Sequence, residues 1–286
     1  MVRKNKYGKF WEADLVREEE KCWGGGVLSA KAYLEDRGFL VVFPNHRYQF
    51  DFKNDDILVE IDELGSDFLK MWNYDNTGTF TLCSEEKVRE VIHAILYVLK
   101  NDLEGAFVEC GVAAGGIASL MASVLLSKKS FKHIYLYDTF EGMTEPDLEL
   151  DEVHETIEKR PVLAQGFSPG GLRYDINMTI NGLRALNFPS EYVHIVKGDV
   201  RETLLLEKNL PDKISILRLD TDLYDSTLVE LEVLFPRLVK GGILILDDYM
   251  SFPGHRKAVD EYFRKINFKP FFHRTDFEGR MVIKNF

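Results

Sequence analysis

From residue 106 onward, short apolar runs alternate with longer segments whose apolar positions recur every three or four residues. The runs are AFVECG from Ala106, HIYLYD from His133, VHIVKGD from Val193, KISILRLD from Lys213 and GGILILDDY from Gly241. Between them lie IASLMASVLLS, YDINMTINGLRAL, RETLLLEKNL and STLVELEVLFPRL, with GHRKAVDEYFRKI after the last run. Strands that are apolar on both faces need cover on both faces, and amphipathic helices between parallel strands supply it. The spacing therefore predicts an α/β fold with a doubly wound, Rossmann-like sheet. The final FFHRTDFEGRMVIKN predicts a closing hairpin around Glu278 and Gly279. Upstream, SEEKVREVIHAILYVLKN predicts a helix capped by Ser84, with Val88, Val91, Ile92, Ile95, Leu96 and Leu99 on one stripe.

In such a sheet, ligands bind outside the carboxyl ends of the strands, where strand order reverses. Those ends carry acids here: Glu109, Asp138, Asp199, Asp220 and Asp247. The first strand leads into VECGVAAGG, where Gly111, Gly115 and Gly116 permit a tight turn and a close backbone approach. The spacing is not that of G-x-G-x-x-G, and Glu109 would repel a pyrophosphate at the helix start. It suits a ligand with an ammonium and no phosphate, as S-adenosylmethionine is. Asp138 can accept ribose hydroxyls, and Asp199 ends the third strand near an adenine. Each acid taken alone reads as a solvated strand end or helix cap; three at successive strand ends favour the adenosylmethionine reading.

The fourth and fifth strands end in LRLDTDLYDST and LILDDY. Neighbouring strands lie ~5 Å apart, so Asp220, Asp247 and Asp248 are expected to converge. Three unpaired carboxylates repel, and a hard divalent cation removes the conflict. An all-oxygen set suits magnesium, with manganese or calcium as alternatives, rather than zinc. The competing reading, that Asp247 or Asp248 caps the next helix, leaves Asp220 unexplained. Asp222, two residues beyond Asp220, is expected as general base, and Asp225 as a first-turn helix acid. His255, in the loop after the metal acids, is a second candidate base. Tyr224 and Tyr249 flank the acids and fit either an acceptor pocket or plain packing.

Charge and cysteines narrow the function class. Of 286 residues, 36 are Lys or Arg and 47 Asp or Glu, a formal net charge of −11. No basic patch stands out beyond the short SKKSFKH, so a nucleic-acid partner is not expected. Cys22, Cys83 and Cys110 are widely spaced, which fits a reducing cytoplasm rather than a disulfide framework. No window resembles a signal peptide or a membrane span, so no membrane partner is expected. The organisation expected is an N-terminal helical or irregular extension over residues 1–78 and a catalytic domain over 79–286. In the extension, residues 24–39 read as a Gly-flanked helix, LVVFP as a strand and YQFDF as an alternating one. A lid, a substrate arm or self-association is the expected use, and a homo-oligomer the expected assembly.

FVECGVAAGG, LYDTFEGM, KGDV, LRLDTDLYDSTLVELEVLFPRLVKGGILILDDY and GHRKAVDEYF occur in the order seen in the macrocin O-methyltransferase family. The chain resembles that family of metal-dependent sugar O-methyltransferases over residues 79–265. The resemblance implies a class I methyltransferase sheet, with S-adenosylmethionine as donor and a sugar-containing small molecule as acceptor. It implies magnesium on Asp220, Asp247 and Asp248, with Asp222 as the base. It also implies cofactor contacts at Glu109, Gly111, Val112, Gly115, Gly116, Asp138, Thr139, Phe140, Asp199, Val200 and Asp220. VAAGG stands where the family usually has VWRGG, and His255 where a Cys is common.

Three rival readings remain open at this level. A catechol-type methyltransferase would use the same metal logic on an aromatic diol. A nucleotide-sugar-binding module would bind without turnover. A nicotinamide dehydrogenase is disfavoured by the glycine spacing and by the missing Tyr-x-x-x-Lys.

Overall fold

The computed structural model describes residues 81–147, 149–151 and 169–286. The expectations for the N-terminal extension and Cys22, and the boundary at residue 78, lie outside the described residues. Residues 148 and 152–168, between the run HIYLYD and the helix read in YDINMTINGLRAL, also lie outside them.

Ser84 begins the first described element as read. Its Oγ accepts from the Lys87 N–H, capping α1 (Glu85–Lys100). The strands follow as β1 (Ala106–Cys110), β2 (Ile134–Asp138), β3 (Val193–Lys197), β4 (Ile214–Leu219) and β5 (Leu238–Leu246). Between them run α2 (Gly116–Ser127), α3 (Ile176–Ala185), α4 (Val200–Thr203) and α5 (Tyr224–Leu234), and α6 (Pro253–Lys265) follows β5. The closing hairpin forms as β6 (His273–Arg274) and β7 (Arg280–Ile283).

The seven strands lie in the order β3-β2-β1-β4-β5-β7-β6. β3 through β5 are mutually parallel, while β7 pairs antiparallel with β5. Strand order reverses between β1 and β4, where Cys110 stands opposite Leu219. On the other side of β4, Leu219 stands opposite Leu246. The strand ends expected to hold ligands are therefore adjacent in space.

Side chains alternate across each strand. Phe107, Ile216 and Ile245 face α1 and α2 in one buried cluster. Val108, Leu217 and Leu244 face the opposite cluster, which includes Leu231 and Leu234 of α5 and Val259 of α6. Glu109, Arg218 and Asp247 follow the alternation of the first set, so three charged groups share the α1 side of the carboxyl edge. No helix among the described residues is long and apolar enough to cross a membrane.

One element is shorter than expected. RETLLLEKNL forms only the four-residue α4 and a separate 3-10 turn at Glu207–Asn209. Leu205 and Leu206 are exposed there, so no apolar stripe faces the sheet to extend the helix. The Asn209 side chain donates to the Thr203 carbonyl at 2.8 Å and closes the short helix instead.

Candidate active site

The glycine turn after β1 is built as the sequence suggests, and tightly. Gly111 has φ +82°, and a Cβ there would meet the Asp220 carbonyl oxygen at 1.9 Å. Gly115 has φ +87° and lies against Thr179. Only glycine satisfies both demands at these positions. Asp138 holds the turn from β2: its Oδ2 accepts from the Val112 and Ala113 N–H groups at 2.7 and 2.9 Å. Its Oδ1 accepts from the Phe140 N–H at 2.6 Å. A carboxylate offers about four acceptor positions, so roughly one remains for a ligand hydroxyl.

The other expected cofactor residues also have local work. Thr139 donates its hydroxyl to the Gly142 carbonyl at 2.8 Å, and Phe140 is buried at φ +51°. Asp199 caps α4 through the Arg201 N–H at 2.8 Å, and the Arg201 guanidinium grips both its oxygens. Burial would raise the Asp199 pKa, but the Arg201 contacts outweigh it and hold the carboxyl below its ordinary value. Val200 is buried behind it and Gly116 opens α2. Glu109 is fully buried; its Oε1 accepts from Arg218 at 2.9 Å while Oε2 has no partner. Burial pushes this carboxyl up to about 8 despite Arg218.

Beyond β4 and β5, Asp220, Asp222 and Asp248 come together, with one oxygen from each within 4.8 Å of the others. At that separation the three carboxylates repel one another strongly. Burial and mutual repulsion accordingly push Asp220 and Asp248 well above the usual carboxylate range, and Asp222 up to about 8. An all-oxygen donor set this close, with no cation among its own three members, fits a hard divalent ion. Asp222 is turned inward by the backbone: at φ +68°, it sits between the Thr221 carbonyl and the Leu223 N–H, which bond at 2.7 Å. This is a γ-turn of the rare positive-φ kind, a strained conformation of the type that clusters at functional sites.

Asp247, expected as a metal ligand, is placed differently. Its Oδ1 accepts from Arg218 at 2.6 Å and its Oδ2 from Lys87 at 2.7 Å. The two cations outweigh burial and lower its pKa. Neither cation was singled out in the sequence. Arg218 left a trace, a charge inside the apolar run ILRLD; Lys87, in SEEK, reads as a solvated first-turn residue. Arg218 is 1% exposed and reaches Glu109, Asp220 and Asp247 together. Lys87 also contacts Glu278 at 3.1 Å and lies 3.9 Å from Asp248.

His255 is not at the carboxylate cluster's open side. It has no exposed surface, its Nδ1 lies 2.9 Å from the Thr227 hydroxyl, and Nε2 has no partner. Burial lowers its pKa to about 4. It packs α6 against α5. Tyr224 and Tyr249 take the packing alternative: they donate to Glu261 and Asp260 of α6 at 2.7 and 2.6 Å. Asp225 lies in the first turn of α5 as expected.

Comparison with known proteins adds independent findings. The family described as Macrocin-O-methyltransferase (TylF) matches residues 56–281, beginning upstream of the resemblance read from the motifs. A demethyldecarbamoylnovobiocin O-methyltransferase from Streptomyces niveus is 27% identical over 226 residues, covering 78% of this chain and 80% of that protein. A mycinamicin III 3''-O-methyltransferase from Micromonospora griseorubida is 26% identical over 201 residues, covering 65% and 71% respectively. Among solved structures, the O-methyltransferase NovP superposes with a TM-score of 0.67 at 23% identity, covering 81% of this chain and all of that one. CalS11, a calicheamicin methyltransferase, gives 0.56 at 18% identity, over 78% and 92%. At those identities the two structures speak for the fold alone, a class I methyltransferase sheet.

Proposed function

The chain belongs to the macrocin O-methyltransferase family, and from that premise we propose that it transfers a methyl group from S-adenosylmethionine to a hydroxyl of a sugar-containing small molecule. The observation that carries the reading is the meeting of Asp220, Asp222 and Asp248 at the carboxyl edge, directly beside the Gly111 turn. The curated relatives are named for O-methylation of novobiocin-type and mycinamicin-type compounds, which supports a glycosylated natural product or nucleotide sugar as acceptor.

In this proposal the glycine turn and Glu109 receive the methionine end of the donor. Asp138, already oriented by three N–H groups, keeps an acceptor position for its ribose. Asp220, Asp247 and Asp248 are the proposed ligands of a magnesium ion. Such an ion would make an acceptor hydroxyl more acidic. Asp222 takes the hydroxyl proton while the oxygen takes the methyl group. Its strained turn keeps the carboxylate fixed toward that oxygen. Alignment of donor and acceptor is worth up to ~7–11 kcal/mol in favourable cases, and the rigid strand ends supply it.

The test uses labelled S-adenosylmethionine with a panel of nucleotide sugars, glycosylated natural products and catechols. Label should appear on a glycoside or nucleotide sugar, stop with EDTA and return with magnesium. Transfer to catechols alone would replace the sugar reading with the aromatic one. Turnover undiminished by EDTA would remove the ion.

A further inference from the structure

Both oxygens of Asp247 already accept from buried cations, so a divalent ion drawn to this carboxylate meets two like charges. Arg218 is the fixed one: it is locked among Glu109, Asp220 and Asp247 and has no exposed surface to move into. Lys87 is also buried, but its hold is of another kind. It holds Asp247 by a single bond from a flexible side chain, and it already touches a second acceptor, Glu278, at 3.1 Å. Glu278 lies on the hairpin between β6 and β7, with 42% of its side chain exposed. The first turn of α1 anchors the Lys87 backbone through Ser84, which also donates to Asp276 at 2.8 Å on the same hairpin. The ammonium thus has a fixed base and is held by two carboxylates at once, of which Glu278 alone is well exposed.

We propose that Lys87 is a tethered cation that competes with the divalent ion for Asp247, neutralising that carboxylate when the ion is away and withdrawing to Glu278 when it binds. The inference rests on the proposed ion at this cluster and adds a positioning residue that acts through Asp247. At Asp247 Oδ2 the ion and the Lys87 ammonium would be like charges on one acceptor, so each weakens the other's hold. Removing the lysine therefore removes a competitor, and removing Glu278 removes its alternative partner.

The experiment titrates the full-length protein with magnesium chloride by calorimetry, without donor or acceptor. Lys87→Met should bind magnesium roughly tenfold more tightly, within the usual range of coupling between two sites. Glu278→Gln should bind it several-fold more weakly. A lysine that merely supports Asp247 as a ligand predicts the opposite sign for Lys87→Met, so unchanged or weaker binding by that folded variant overturns the inference. Should Lys87→Met fail to fold, the unmodified protein decides. Reductive methylation of Lys87, mapped by mass spectrometry, should speed up when magnesium is added, and an unchanged rate overturns the proposal. Absence of any magnesium binding to the unmodified protein would instead remove the ion itself, a separate failure.

Discussion

Asp222 shows how much chemistry one backbone conformation can direct. A positive φ at a non-glycine residue is strained, yet Asp is among the side chains that best tolerate it. Here it aims a carboxylate at two others. Asp222→Asn keeps the size and polarity but cannot take a proton. The variant should bind S-adenosylmethionine unchanged by calorimetry while turnover falls ~10²–10⁴-fold; an active variant would move the base elsewhere. His255, the other candidate base, belongs to the core instead. Its pKa falls from 6.5 to about 4 because burial disfavours the charged ring. The unfolded chain therefore binds the proton first as pH drops. The stabilisation is fully present above about pH 6.5 and is lost as pH falls towards 4. Relative to His255→Gln, the native protein should lose up to roughly 3 kcal/mol between pH 7 and pH 4, read by urea unfolding. Equal pH slopes would contradict that account. His255 follows the metal acids closely in sequence, and only its contact with Thr227 shows that it points into the helix layer.

Element ends show the limit of local pattern. Ser84 caps α1 as its spacing predicts, since cap and first turn are neighbours in the chain. α5 has no such cap: Leu223 stands at its N-cap position without a side-chain hydrogen bond. The Tyr224 N–H donates instead to Asp151 Oδ1 at 2.7 Å, from a loop far upstream. The same carboxylate accepts from the Asp147 N–H at 3.0 Å and sits where a Cβ on Gly254 would fall. One acid thus ties its loop to the starts of α5 and α6. Asp151→Ala should destabilise the fold by ~1–2 kcal/mol in chemical denaturation, the usual cost of a lost cap. No change would mean that water replaces the carboxylate without loss. RETLLLEKNL carried enough leucine to suggest a full helix, but apolar residues extend a helix only when a partner surface receives them. Leu205 and Leu206 have none among the described residues.

Across the whole molecule, the acids at the sheet's carboxyl edge outnumber Arg218 and Lys87, in a chain already at −11. A bound divalent ion should therefore stabilise the entire domain. At a concentration 100 times its dissociation constant it adds about 2.7 kcal/mol, or roughly 5–10 °C in Tm for a domain of this size. Thermal unfolding with magnesium and with EDTA measures this directly, and coincident curves would remove the ion from the proposal. The sequence by itself determined the alternating sheet, the glycine turn and the row of strand-end acids. Each is written in short-range pattern: nearly unbroken apolar runs in strands, a period of 3.6 in helices, and acids where the apolar runs stop. Tertiary structure alone decided which of those acids meet in one cluster and which are already neutralised. Lys87 and Asp247 are separated by 160 positions, and charge pairing depends on distance in space, which no local spacing records.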